Sequence, residues 1–482
     1  MKKFLNALFD VIFIVTILFL IRGIIQNDIA SYAKIIIYII LNLFIYKKIQ
    51  KVKIRKYMFV LLFLVIVVLQ IASGYFFKVI PAWDFGSVYN EANVLSKPIR
   101  NLEYFCRYPN NIPIMFILKT IFYICKTLGL RHTLNIGIAI NIIAIDLAII
   151  ILVLVIKELL GKEKAFFTLL FVSIMPIIYL AVPIFYTDTF SMLFPILIIY
   201  TYIKLKKEEN KKKKTIYSIL LGIVTVLGMN IKITVAITFI AIIIYELLLC
   251  KKQEIKNILY SVFALITVII LILLEVTIFK FTFKDLEKLQ NESFPVTHFI
   301  MMALSRSGRY NPQDVKFTAS FNTKEEKINA NIEEIKARLG EYDTFEKLIN
   351  FIRVKELQIW KDGTYFMPTL LSQYNVRDGK IHDLIYGKGY IWISKLQREI
   401  LMVLVLIATF YKRKEKDEGI NIISRLSMLG LIIFFSFWEI SSRYIINYIP
   451  ILTLIEILGI DVLNNRIIEL KEKIKKIKKN KI

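Results

Sequence analysis

Twelve times along its 482 residues this sequence runs for roughly 16 to 24 positions with almost nothing but apolar side chains, and no other feature limits the fold as much. A helix of about 20 residues crosses the hydrocarbon core of a bilayer, and in lipid a spanning segment must satisfy its own backbone polar groups. Strands would require closed barrels and alternating patterns, and these runs do not alternate. With 57% hydrophobic residues, the chain reads as an all-α, polytopic membrane protein of about 12 transmembrane helices. The spans are expected at 4–25, 31–46, 57–77, 134–157, 165–182, 189–204, 215–230, 233–249, 257–279, 396–411, 419–438 and 443–463.

The formal net charge of +26 invites a nucleic-acid reading, but the placement of the lysines argues against it. They cluster between apolar runs, at Lys47–Lys56, Lys206–Lys214, Lys251–Lys256, Lys412–Lys416 and Lys471–Lys481. Such blocks hold loops on the cytoplasmic side of a plasma membrane and attract anionic headgroups. The three cysteines, Cys106, Cys125 and Cys250, form neither a disulfide framework nor a zinc ribbon. Met1-Lys2-Lys3 opens an apolar run to Ile25 without a small-residue cleavage site, which reads as a retained anchor.

Charge parity settles one further segment. Residues 112–128 are apolar enough to cross, but a crossing there would put the basic loop Lys157–Lys164 and every later lysine block outside. Lys119 and Lys126, with Thr120 and Thr127, draw a polar stripe along an otherwise apolar helix, the pattern of a helix lying in the headgroup plane. Both termini are then cytoplasmic. The chain divides into an N-terminal transmembrane module (1–279) with a first outer loop (78–133), an extracytoplasmic helical layer (280–395), C-terminal transmembrane helices (396–463) and a basic cytoplasmic tail (464–482). In the layer, Thr323-Lys324-Glu325-Glu326 is a capping box opening a helix that Gly340 can close, and a second helix starts near Asp343 and ends before Gly363.

This threading gathers polar residues from distant segments at one depth, the outer membrane boundary: Asp84, Arg107, Asp188, Lys232, Glu439 and Arg443. A lipid-phosphate donor keeps its chain in the bilayer and its headgroup at that boundary. Its phosphate needs cations, for which Lys232, Arg443 and Arg107 are candidates. An acceptor hydroxyl needs a carboxylate to take its proton, which suits Asp84. Asp188 can orient the acceptor or hold a divalent cation such as Mg or Mn. Plainer roles exist for each: Asp188 as a helix cap, Lys232 snorkelling, Glu439 and Arg443 as an i,i+4 ion pair, Arg107 as a headgroup anchor. Asp146 stands apart near the middle of its span, where an ionisable group is costly. His298 and Trp360-Lys361-Asp362-Gly363 are assigned to folding of the outer layer.

Several of these segments resemble the GT-C superfamily of integral-membrane glycosyltransferases, particularly relatives of protein O-mannosyltransferases and bacterial aminoarabinose transferases. The resemblance lies in the early outer loop with Asp84, Tyr108-Pro109-Asn110-Asn111, Tyr186-Thr187-Asp188, Gly228-Met229-Asn230-Ile231-Lys232-Ile233-Thr234 and Trp438-Glu439 through Arg443-Tyr444 to Pro450. The stretch from Gly308-Arg309-Tyr310-Asn311 to Trp360-Lys361-Asp362-Gly363-Thr364-Tyr365 is similar to that of Gram-positive members. The resemblance implies inverting transfer from a polyprenyl-phosphate-linked sugar to an extracytoplasmic acceptor of the cell envelope or cell wall, with Asp84 as general base. Phe85 follows Asp84 where protein O-mannosyltransferases carry a second acid, leaving Glu91 as the nearest carboxylate. Two rival readings are a flippase of lipid-linked glycans, kept alive by Asp146, and a non-catalytic scaffold of envelope-polymer assembly.

Overall fold

A computed structural model describes residues 2–25, 28–94, 102–250, 258–282, 286–373, 375–377, 379–411 and 415–479. The lysines of 251–256, those of 412–414 and the end of the tail at 480–482 lie outside the described residues. The described chain is helical: α1 (Lys2–Ile24), α2 (Ile29–Ile49), α3 (Lys56–Phe76), α4 (Trp83–Asn93), α5 (Leu102–Arg107), α6 (Ile112–Thr127), α7 (Thr133–Leu160), α8 (Lys162–Ser173), α9 (Ile177–Leu180), α10 (Thr187–Phe190), α11 (Leu193–Lys207), α12 (Lys211–Ile231), α13 (Ala236–Ile244) and α14 (Ile258–Thr282). It continues with α15 (Leu286–Glu292), α16 (Val296–Ala303), α17 (Pro312–Ala319), α18 (Lys324–Gly340), α19 (Phe345–Trp360), α20 (Met367–Ser372), α21 (Lys388–Ala408), α22 (Glu415–Phe437) and α23 (Ile449–Lys479). No strand forms among the described residues beyond a single bridge between Val79 and Asn375.

Nine segments among the described residues are long and apolar enough to cross a membrane, rather than the expected 12. The other three expected spans take different forms. Residues 165–182 split into α8 and the four-residue α9, because Pro176 and Pro183 cannot continue a helix. Residues 233–249 form a 3-10 turn, α13 and a π-turn at Tyr245–Leu249. The span expected from 396 begins at Lys388, because α21 carries Arg398 and Glu399 inward, both buried, instead of leaving charge at its end.

Freed carbonyls in a bilayer interior need partners, and those of the broken segment have them. Ser73 Oγ donates to Tyr179 O at 2.7 Å, and Asn141 Nδ2 donates to Ala181 O and Val182 O at 3.1 and 2.8 Å. Polar residues of α3 and α7 thus fix the bend that leads to Asp188.

One face of the bundle collects the basic ends. Lys2 reaches Cys250, Lys206 pairs with Glu246, Lys207 pairs with Glu158, and Lys164 and Tyr46 both meet Asp461. The opposite face carries the layer formed by α15–α20. There Thr323 and Glu326 close the capping box, Glu326 N to Thr323 Oγ at 3.2 Å and Thr323 N to Glu326 Oε2 at 3.0 Å, and Thr344 caps α19. His298 is buried against Thr318 at 2.7 Å, and that burial depresses its pKa to about 4.

The polar stripe of α6 divides, its lysines turning toward α4 while Thr120 and Thr127 are exposed. Lys126 donates to Asn93 O and Oδ1 at 2.7 and 3.0 Å, and Lys119 lies 3.7 Å from the buried Glu91. The two lysines therefore clamp α6 to α4, while Thr120 and Thr127 are exposed together with Phe116, Ile117, Tyr123 and Ile124. An unmet cation is worse placed in lipid than against polar partners, so the lysines turn inward.

Asn141→Leu should leave the carbonyl of Val182 without its Asn141 donor, while Ala181 O keeps Ile184 N, and destabilise the protein by about 1–3 kcal/mol. Thermal unfolding in detergent should show the lower midpoint, whereas Asn141→Ser should lose less.

Candidate active site

Asp84 is held by a strained turn. Trp83 adopts a left-handed backbone with φ +47°, rare for a residue with a side chain. Gly86 then packs so closely that a Cβ there would sit 2.7 Å from Pro81 O. A bulky residue in strained backbone beside a carboxylate is a common mark of a functional site. The turn presents Asp84 half-buried, at the start of α4.

A line of hydrogen bonds leads from this carboxylate into the protein. Tyr186 OH donates to Asn111 Oδ1 at 2.8 Å, Asn111 Nδ2 to Tyr104 OH at 2.7 Å, and Tyr104 OH to Asp84 Oδ1 at 2.9 Å. Burial, with the nearby Tyr186 and Asp84, raises the Tyr104 phenol well above its ordinary range, so it remains a donor. Asp84 thereby keeps one oxygen oriented by a tyrosine.

Asp188, Lys232 and Arg443 form one ion cluster. Lys232 Nζ bonds Asp188 Oδ1, and Arg443 Nη1 bonds Asp188 Oδ2 at 2.5 Å. All three side chains are 13% exposed or less. They come from the start of α10, the end of α12 and the turn before α23. Aromatic rings surround the guanidinium: Arg443 lies 4.8 Å from the centroids of Trp83 and Tyr444 and 5.7 Å from that of Tyr186. Such contacts hold a desolvated cation without cancelling its charge. Since Trp83 precedes Asp84, the carboxylate falls within electrostatic reach of Arg443, and also of Glu439 and Tyr310.

Both Asp188 oxygens are thus engaged by cations, and no group of three or more His, Cys, Asp or Glu suited to a metal forms among the described residues. Glu439 accepts from Tyr444 OH at 2.6 Å rather than pairing with Arg443, and burial pushes its carboxyl upward. Arg107 pairs with Glu103 at 2.6 Å, outside the cluster, and Glu91 belongs to the α4–α6 clamp. Asp146 is buried in α7 with Oδ1 lacking a hydrogen-bond partner, away from these groups.

The Trp360–Gly363 turn positions Arg443. Asp362 accepts from Ser442 Oγ at 2.5 Å, from Thr364 N at 2.9 Å and from Phe366 N at 3.0 Å. A Cβ on Gly363 would come within 2.0 Å of Ser394 O, so only glycine allows this approach. Upstream, Trp360 Nε1 donates to Glu356, which Ser436 also contacts, and burial raises that carboxyl to about 8. Asn111 stands in the Tyr108–Asn111 motif, though its bond to Tyr104 carries no sequence signal; Tyr104 is not separable by sequence from other loop residues, and Ser442 carries no signal beyond its place beside Arg443.

Asp188→Asn should strand two buried cations and cost about 3–5 kcal/mol of stability. Asp188→Asn combined with Lys232→Met should recover part of that loss, read as a coupling of about 0.5–3 kcal/mol in a double-mutant cycle of thermal unfolding.

No curated protein sequence matches the chain. Among solved structures it is similar to the archaeal oligosaccharyltransferase AglB from Archaeoglobus fulgidus in complex with an inhibitory peptide and a dolichol-phosphate, at 10% identity and a TM-score of 0.41, covering 88% of this chain and 52% of that one. It is also similar to the apo form of the Archaeoglobus fulgidus oligosaccharyltransferase, at 11% identity and a TM-score of 0.42, with the same coverage. The chain spans about half the length of those proteins. By sequence it belongs to the family described as conserved hypothetical integral membrane protein, which matches residues 2–462.

Proposed function

We propose that the protein is a GT-C-type glycosyltransferase that moves a sugar from a polyprenyl-phosphate donor to an extracytoplasmic acceptor. One observation carries this proposal: Asp84, oriented by Tyr104 and next to the strained Trp83, lies within electrostatic reach of a buried cation, Arg443, that is caged by aromatic rings. Base and cation on one site suit a reaction in which a proton leaves one reactant while negative charge grows on another.

In the proposed step the acceptor hydroxyl oxygen attacks the anomeric carbon as the bond from that carbon to the phosphate oxygen breaks. The hydroxyl proton passes to Asp84. The electron pair of the broken bond stays on polyprenyl phosphate, whose added charge is met by Arg443 and Lys232, with configuration inverted. Asp188 acts as a positioning residue, holding both cations so that neither collapses onto Asp84. Tyr310, 60% exposed and within electrostatic reach of Asp84, is the residue proposed to meet the acceptor. The basic ends then face the cytoplasm and the site faces outward, with residues 280–395 as an extracytoplasmic layer over the transmembrane modules.

Asp84→Asn should lower transfer by about 10²–10⁴-fold, the usual worth of a general base. It should leave thermal stability near that of the unaltered protein. Release of polyprenyl phosphate from a panel of polyprenyl-phosphate sugars measures the loss. Unchanged release in the variant would remove Asp84 from the chemistry, and translocation of a fluorescent lipid-linked glycan without any turnover would favour the flippase.

A further inference from the structure

Helix α19 is covered at one end and bare at the other. Near its end Glu356, Ile359 and Trp360 are buried, and Lys355 and Glu356 reach Ser436 of α22. Residues three and four apart line up on a helix, so Ile352, Ile349 and Phe345 continue that buried face toward the N-terminus. Along it the cover runs out. Ile352 is half-buried, Ile349 is 39% exposed and Phe345 is 78% exposed. The support beneath the helix therefore stops partway along its length.

What lies at that edge is α1. Leu357 packs on Gly23, where a Cβ would come within 2.5 Å of Leu357 Cδ1, and the Arg353 guanidinium lies 5.5 Å from the centroid of the Phe19 ring. Both contacts are at the opposite end of α1 from Lys2, which reaches Cys250 on the basic face. Beside them α1 leaves Val15, Leu18 and Phe19 exposed, on a helix long and apolar enough to cross a membrane. A spanning helix that is bare and apolar on one side meets lipid there. The uncovered turns of α19 thus continue a lipid-facing surface.

Charge fixes how deep they go. The turn before α19 carries Glu341 and Asp343, and Lys347 pairs with Asp343 at 2.7 Å, all of them exposed. Such groups are costly in hydrocarbon and at ease among headgroups. Arg353, at the boundary between bundle and overhang, suits a lipid phosphate.

We infer that the α18–α19 hairpin overhangs the bundle and rests on the lipid surface, with Phe345 and Ile349 set into the headgroup region. The inference needs only that α1 spans the bilayer. It does not depend on the proposed transfer chemistry or on which side of the membrane carries the layer.

Full-length protein in lipid nanodiscs, which leave both faces open to solutes, tests this with a fluorophore on one introduced cysteine. The background carries Cys125→Ser, and the labelled variants are Phe345→Cys, Ile349→Cys and, on the opposite face of α19, Val354→Cys. All three positions are exposed, so folding should be kept. Labels at the Phe345 and Ile349 positions should emit to the blue of the label at the Val354 position. They should be quenched by a lipid-borne nitroxide about 5–10 Å into the headgroup and acyl boundary, the depth of an interfacial helix, whereas iodide should quench only the label at the Val354 position. Equal iodide quenching at all three positions would overturn the inference, because the hairpin would then stand in water. Labels at the Phe345 and Ile349 positions shielded from both quenchers would also overturn it, since protein, such as a second copy of the chain, would then be the cover.

Discussion

Everything at the proposed active face depends on one carboxylate pairing with two cations. Asp188 takes Lys232 on one oxygen and Arg443 on the other. Burying three charges is expensive, and only close pairing with good geometry offsets the lost hydration. Because the three residues come from different parts of the chain, the pairing also fixes how those parts meet. It brings the bend before α11, the end of α12 and the top of α23 to one point. The window of α23 that can cross a membrane is wholly buried, whereas that of α14 is 17% buried, so Arg443 stands at the head of the central helix.

Other devices keep this point in place. The bend that delivers Asp188 exists because Pro176 and Pro183 interrupt a helix, and Ser73 and Asn141 absorb the freed carbonyls. From the opposite side, Asp362 grips Ser442, next to Arg443, while Gly363 lets that turn close on α21. Trp83 links the two halves of the site, since its ring lies under Arg443 and meets Tyr186 edge to face, and its strained backbone aims the neighbouring Asp84. Strain of this kind survives only where surrounding packing over-determines it.

Much of this architecture was legible in the apolar runs, because length and composition are what a bilayer reads. The capping box at Thr323 and the start of α19 were also visible, being local patterns. The forms of 165–182 and 396–411 were not. A proline break is tolerated at depth only when distant side chains supply partners, and inward charges on α21 need a cleft; neither partner is encoded nearby. The stripe on α6 has the right period, but period alone does not tell which of its polar residues meet a neighbouring helix. Among the site residues, depth grouped Asp84, Asp188, Lys232 and Arg443, and the side chains of the last three are in contact. Their pairing could not be read from spacing: Glu439 and Arg443 have the i,i+4 separation of a helical pair, yet a turn separates them and Arg443 takes Asp188.

Affinity for polyprenyl phosphate, measured with purified protein by a saturation assay in detergent, tests the central claim most directly. Unaltered protein should bind it, and Arg443→Gln or Lys232→Met should each weaken binding by about tenfold or more, the worth of one charge-assisted contact. Equal affinity in all three proteins, with both variants folded, would contradict the account, because the cation pair held by Asp188 would then have no part in meeting a lipid phosphate.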